Sequence, residues 1–352
     1  MLALVLPLGA VAACGSDDGD GAQGGGVTLT IGGWGGASNE GTQAAYLDPF
    51  DAERGISARF EDAPGTQLAR VEAQNRAGDV EWDALNSVAG DAAFTLHERG
   101  YLAELPRDLR ASLERDLGAE RVAPFGFAHG NIANVIVCNM DRMSSCPKDM
   151  GEFYDTDRFP QDRMFAGIAP IMAVTTAEVA AGVPLSEIAD TPVDVDRAFQ
   201  ELERLKPAIS VFWQSGDQQE QIIRSGGADM GIMWSNRAHR LIVDGMNLKI
   251  VWPGGAYEPS YWTVLEDAPH RDEAFELLRW IASHPRAQAD WAEVVGASVP
   301  NPKAFDFLPP KLVENLADRG DNFEQLAVPN FEWYAQNTEE LDQQYQDFVR
   351  GG

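Results

Sequence analysis

Apolar and polar positions along this chain follow two periods, and the switches between them lay out strands and helices. Val27 to Ile31 reads as a strand and runs into GGWGG at 32–36, where glycines let the backbone turn and leave Trp34 projecting. Ile209 to Trp213 alternates β-branched and aromatic residues, as a short buried strand does. Ser215-Gly216-Asp217 then offers a turn and a helix N-cap, with Ile222 and Ile223 apolar among Gln and Glu. Gly226-Gly227 stops that helix, and ADMGIMW, ending at Trp234, is a second buried strand. The stretch is one β-α-β unit with a tryptophan closing each strand. In open α/β sheets ligands bind beyond the carboxyl ends of the strands, which is where Trp213 and Trp234 fall.

The same alternation runs through the chain. Helices are predicted at 40–54, 66–77, near 173–181, and at 194–205, 271–283 and 285–294, with a helical tail over 309–349. Strands are predicted at 56–61, at 80–88 ending in Asn86-Ser87, at 248–252 and at 261–265. Asn131 to Cys138 is a longer apolar segment suited to bridge two lobes. Strand alternating with helix predicts an α/β fold with parallel sheets, and 352 residues suffice for two domains.

Composition changes the picture in two places. Fifty-five acidic against 27 basic residues give a formal net charge of −28, which disfavours nucleic acid as a partner. Residues 1–13 are an apolar run that reads as an export signal, and Val11-Ala12-Ala13-Cys14 resembles a lipobox, with Cys14 as the lipidated residue. Residues 14–26 read as a flexible tether. Export supplies an oxidising compartment, so Cys138 and Cys146 are expected to form a disulfide; a zinc pair would lack two further ligands nearby.

Five histidines stand apart from metal-ligand spacing, and no nucleophile elbow, zinc-protease helix or phosphate loop occurs. No catalytic residue, metal or cofactor is therefore predicted. What accumulates at loop positions is aromatic and amide side chains: Trp34, Asn86 and Ser87 early, then Trp213, Gln214 and Ser215, Trp234 and Asn236, and Tyr261 and Trp262. Aromatic walls with a few placed polar groups line small-molecule pockets, and aromatic faces attract cations.

WGG at 34–36, FYDTDRFP at 153–160, DVDRAFQELERLKP at 194–207, the stretch WQSGDQQEQIIRSGGADMGIMWSNR and YWTV at 261–264 occur in one order. Together they resemble the polyamine-type (spermidine/putrescine-like) solute-binding proteins of bacterial ABC importers, from Val27 to the C-terminus. The resemblance implies a two-lobed type II periplasmic-binding-protein fold, each lobe a mostly parallel sheet flanked by helices. Its two hinge crossings are expected near 125–132 and 245–253. Lobe 1 would comprise 27–128 with 253–300, and lobe 2 129–252 with the C-terminal helices 301–352. The lobes would close on a ligand and present it to a permease. The protein is expected to be monomeric and held at the extracytoplasmic face of the membrane by lipid on Cys14.

The resemblance also marks departures. An acid is expected just before Tyr261-Trp262; Ser260 stands there, with Glu258 two residues earlier. Ile168 and Thr175 stand where two further acids are expected, with Glu178 the nearest carboxylate. A desolvated ammonium without a carboxylate costs several kcal/mol, so the expected ligand has at most one cationic centre. An amino-acid derivative, an opine-like compound or a quaternary amine fits, and Arg237 could meet a carboxylate. Two other readings stay open: an exported hydrolase on a similar scaffold, with His129 as a residue to test, and a sensor-coupled binding protein.

Overall fold

The computed structural model describes residues 26–351; the expected signal segment, Cys14 and the tether as far as residue 25 lie outside them. Among the described residues eleven strands form two mixed sheets. The first contains β1 (Thr28–Gly33), β2 (Ser57–Asp62), β3 (Ala84–Ala89), β4 (Val122–Ala123), β5 (Gly126–Ala128) and β11 (Ser260–Val264), in the order β2-β1-β3-β11-β5-β4. The second contains β6 (Ile132–Asn139), β7 (Arg163–Ala166), β8 (Ile209–Trp213), β9 (Met230–Trp234) and β10 (Leu248–Glu258), in the order β10-β6-β9-β7-β8. This is the two-lobed α/β architecture expected. The sheets are less parallel than expected: β1 runs parallel to β2 and β3, and β7 to β8 and β9, but β6 and β11 run antiparallel to all their neighbours. The reason is connectivity, since β6 and β11 begin at the junction between lobes where β5 and β10 end.

Each lobe has its own core. Leu29 and Ile31 of β1 are sealed by Tyr46, Phe50, Leu278 and Trp291 in lobe 1. Ile136, Phe165 and Ile232 lie under Leu202, Tyr345 and Phe348 in lobe 2. Burying one such side chain contributes roughly 1.5–3 kcal/mol. The sequence signals that fix the helices operate as read. Ser215 accepts from the Gln218 N–H at 3.3 Å to cap Gly216–Ser225, which stops at Gly226 in the left-handed region (φ 71°). Asp194 likewise caps Val195–Leu205. Cys138 at the end of β6 is bonded to Cys146, with Cα atoms 5.9 Å apart, so the disulfide is present and the zinc alternative falls away.

The chain passes between lobes three times. Residues 129–131 join β5 to β6. The return is at Pro259, later than 245–253, because β10 continues past Trp252 through a register shift between Val251 and Ala256 and stays paired with β6 to Glu258. A third passage lies near 317–326. Leu308, Leu312 and Leu316 still pack in the lobe 1 core, whereas Ala317 and Leu326 pack with lobe 2 and Ala327 bridges Ala256. The segment 302–316 thus belongs with lobe 1, not with lobe 2 as expected; its first part, Pro302–Phe307, packs against the helix Pro285–Val295. Lobe 2 receives Phe331–Arg350, anchored by the Tyr345 hydroxyl donating to the Ala166 carbonyl at 2.6 Å.

Candidate ligand site at the lobe junction

Strands β1, β3 and β5 of lobe 1 and β7, β8, β9 and β10 of lobe 2 all end toward the junction, so the side chains at their ends define the candidate site. On lobe 2 the Glu258 carboxylate accepts from the Asn134 amide at 2.5 Å. Asn134 in turn pairs in register with Trp234 across the β6–β9 ladder. Burial pushes the Glu258 carboxyl up to about 7; Asn134 and the Trp234 indole N–H favour its ionised form, and the Asp91 carboxylate of lobe 1 opposes it. Asp91, at the start of the helix Gly90–Glu98, is itself raised by burial and by Asp342. Trp234, half-buried, stands beside this carboxyl with its backbone N–H held by Gln219 Oε1 at 3.1 Å. An aromatic face next to a desolvated carboxylate suits one ammonium or quaternary ammonium group.

Trp213, expected to share that role, does not line the cleft. It is fully buried, its indole N–H donates to the Ile232 carbonyl at 2.9 Å, and its ring meets Trp234 edge-on at 5.5 Å. Trp213 is the wall behind Trp234. Trp262 is likewise fully buried in the lobe 1 core, where β11 lies between β3 and β5. Tyr261 is buried against Phe94 and Phe125, and burial raises its hydroxyl.

Arg237 also departs from expectation. Its guanidinium donates to Asp217 and Glu220, each at 3.0 Å, and lies over Gly216, where an added Cβ would come within 2.6 Å of Nε. Both carboxylates are held through Nη1, which ties the guanidinium expected to meet a ligand carboxylate to the helix Gly216–Ser225. Asn236 accepts from the Arg237 N–H at 2.9 Å, Ser215 is committed to the helix cap, and exposed Gln214 folds over Gly167. Glu178 is a structural acid, accepting from the Asp194 N–H at 3.2 Å and from Arg197 at 3.0 Å.

On lobe 1, β3 bulges where Asn86 and Ser87 together oppose Trp262 of β11. Ser87 has φ 54°, one of two described non-glycine residues with positive φ; the other, Ala169, follows the end of β7 on lobe 2. Such strain gathers at functional sites. The Ser87 hydroxyl reaches Asn86 Oδ1 and lies 3.3 Å from the Ser38 hydroxyl. Asn86 itself is fully buried, donating to Thr42 Oγ1 at 2.8 Å, so it supports Ser87 from behind. Trp34 is the exposed aromatic on this side, 40% accessible.

His129 is sealed between Tyr46, whose hydroxyl lies 2.6 Å from Nε2, and Trp291. Burial lowers its imidazole to about 3, which keeps it neutral and away from solvent, a poor setting for a general base. Among the described residues no group of three His, Cys, Asp or Glu side chains is placed to hold a metal ion. Asn134 and Asp91 went unnoticed in the sequence. Asn134 is a polar residue inside an apolar strand, which is the one signal that could have singled it out.

Residues 45–317 match the family model described as bacterial extracellular solute-binding protein. A γ-aminobutyric acid-binding protein of Pseudomonas aeruginosa is 26% identical over 332 residues, spanning 90% of each chain. A solved structure of a GABA receptor is 27% identical, with a TM-score of 0.82 over 92% of this chain and 98% of its own. A spermidine/putrescine ABC transporter substrate-binding protein of Streptococcus pneumoniae, 17% identical with a TM-score of 0.71 over 92% of this chain and 99% of its own, shares the fold.

Proposed function

The chain belongs to the bacterial extracellular solute-binding proteins, and from that premise we propose that its cargo is a small solute with a single cationic amine, with γ-aminobutyrate the first compound to test. As a solute-binding receptor of an ABC transporter it would close its lobes on the solute and present it to the permease. The observation that carries the ligand class is Glu258. Its carboxylate is held by Asn134 at 2.5 Å, flanked by the half-buried Trp234 and faced by Asp91, whose own carboxyl burial raises toward the neutral form. An ammonium ion there gains a charge partner and an aromatic face. The absence of acids at Ile168 and Thr175 argues against a second ammonium group, and so against a di- or polyamine. The identity of about a quarter with a γ-aminobutyric acid-binding protein across 90% of the chain supports the same choice.

A ligand carboxylate would find hydroxyls and strand-end backbone on the facing lobe, where Ser38 and Ser87 stand together. Export and membrane anchoring through Cys14 complete the reading; intact-mass analysis of the membrane-extracted protein would detect the lipid. The direct test is titration calorimetry with γ-aminobutyrate, an opine, a quaternary amine and spermidine. Binding of a mono-amine is expected, and a ligand at 100 times its Kd should add about 2.7 kcal/mol to stability. Sub-micromolar spermidine binding with no response to any mono-amine would overturn the ligand class and return the polyamine reading to first place.

A further inference from the structure

The three passages between the lobes are drawn together at one side chain. Asp318 lies in the third passage, just after Leu316 leaves the lobe 1 core, and is 3% exposed. Its Oδ2 accepts from the Asn131 amide at 2.7 Å, and Asn131 is in the first passage. Its Oδ1 accepts from the Tyr257 hydroxyl at 2.9 Å, and Tyr257 precedes the Pro259 passage by two residues. The same oxygen takes Arg121 Nε at 3.1 Å from the body of lobe 1, while the Asp318 N–H donates to Ser298 Oγ at 3.1 Å. Ser298 is tied back to the first passage by the exchange of backbone bonds with Asn131, at 3.0 and 3.1 Å. Phe323, further along the third passage, closes the cluster. Its ring meets Tyr257 edge-on at 5.0 Å and lies 5.4 Å from the Arg121 guanidinium.

We propose that Asp318 is the positioning residue of the hinge: one carboxylate that takes a donor from each of the other two passages and so sets which lobe arrangements the ligand-free protein populates. The chemistry favours a carboxylate at this place over any other group. Three donors converge on it, one of them charged, and a carboxylate, with two acceptor oxygens and no nitrogen donor, can accept from all of them. Its bonds cross between backbone segments that must rotate relative to one another when the lobes move, so each alters a hinge torsion and not a lobe core. The proposal rests on the hinge-closure reading above but makes no use of which solute binds.

The test is therefore made first without ligand. Spin labels at R76C in the lobe 1 helix Gln67–Ala77 and at Q200C in the lobe 2 helix Val195–Leu205, both exposed positions, report the interlobe distance distribution. Tyr257→Phe removes one hinge bond and leaves the Arg121–Asp318 pair intact; the pair R121Q/D318N removes the carboxylate without stranding a buried guanidinium. Both are expected to broaden the ligand-free distribution about twofold while circular dichroism stays that of the wild type, and to weaken γ-aminobutyrate binding about tenfold. Should the double variant not fold, Tyr257→Phe alone decides. A folded variant with the wild-type distribution overturns the proposal. Broadened variants together with a wild type that ignores γ-aminobutyrate would uphold Asp318 and count against the ligand class alone.

Discussion

The two lobes bring their strand ends to the junction by one device and with opposite chemistry. In lobe 1 the consecutive pair Asn86-Ser87 splits its work. Asn86 is buried and bonded to Thr42, and Ser87 is tipped forward by a bulge into the left-handed region. In lobe 2 the tryptophans Trp213 and Trp234 divide in the same way. Trp213 is buried and satisfied by Ile232, and Trp234 stands half-open beside Glu258. Each rim is thus a buried anchor behind an accessible reader. The readers differ, being neutral hydroxyls on lobe 1 and an aromatic face with a carboxyl on lobe 2. A ligand with unlike ends would be oriented by that difference.

The pairing is most exposed to failure at the tryptophans. Trp213→Ala should cost about 3–5 kcal/mol, because a large buried side chain and its indole bond to Ile232 are lost together. Trp234→Ala should leave the ligand-free melting temperature within a few degrees and weaken ligand binding about a hundredfold or more, as hot-spot aromatics do. Parallel thermal melts and calorimetry separate the two. If Trp213→Ala stays as stable as Trp234→Ala and loses binding alone, the division into anchor and reader is wrong.

Glu258 sharpens the contrast between rims, since only lobe 2 offers a reader that titrates near neutrality. Its folded value, about 7, lies above the ordinary carboxyl range, so the folded state holds a proton that the unfolded state has released. Its contribution to stability is therefore fully present at acid pH and is lost as pH rises from about 4.5 through 7. Cation binding runs the other way. Affinity for an amine should rise by up to about tenfold per pH unit between pH 6 and 7 and level off above. Glu258→Gln should flatten both profiles and weaken binding; a variant that keeps the wild-type pH dependence would remove Glu258 from the site.

Much of the fold was legible because periodicity and punctuation are local. The β-α-β unit at 209–234 carries its strand alternation, its Ser215 cap and its Gly226 stop in consecutive residues; the elements form as read, although β8 is an edge strand with only Trp213 buried and not the buried strand expected. The site was legible only to the level of strand ends. Whether Trp213 or Trp234 faces the junction depends on β6 and β7, which come from elsewhere in the chain, and Trp262 is enclosed by β3 and β5 on either side. Arg237 looked free because its partners, Asp217 and Glu220, lie about a strand and a helix away in sequence. Asn134 and Asp91 escaped notice for the same reason, since their meaning comes from Glu258, more than a hundred residues later.

On lobe 1 the anchor predicts a smaller loss than Trp213 does. Asn86→Ala removes the bond to Thr42 and the acceptor for the Ser87 hydroxyl in a fully buried place, which should cost about 1–3 kcal/mol in a denaturant titration. A loss within error would mean that Ser87 holds its position without Asn86.

The finest distinction concerns the reader itself, and it needs two substitutions at one position. Ser87→Ala removes the hydroxyl and keeps a Cβ in the left-handed region; Ser87→Gly removes the hydroxyl and relieves the backbone as well. Both lose the same contact with Asn86, so the difference between them isolates the strain, expected to be about 1 kcal/mol in favour of glycine. Binding should follow the opposite order. Alanine keeps the bulge that aims this rim at the junction, whereas glycine allows it to relax, so Ser87→Gly should bind the ligand a few-fold more weakly than Ser87→Ala. Equal stability of the two would mean that the bulge is set wholly by its pairing with β11, and equal binding that the hydroxyl, not the backbone shape, is what the ligand meets on this side.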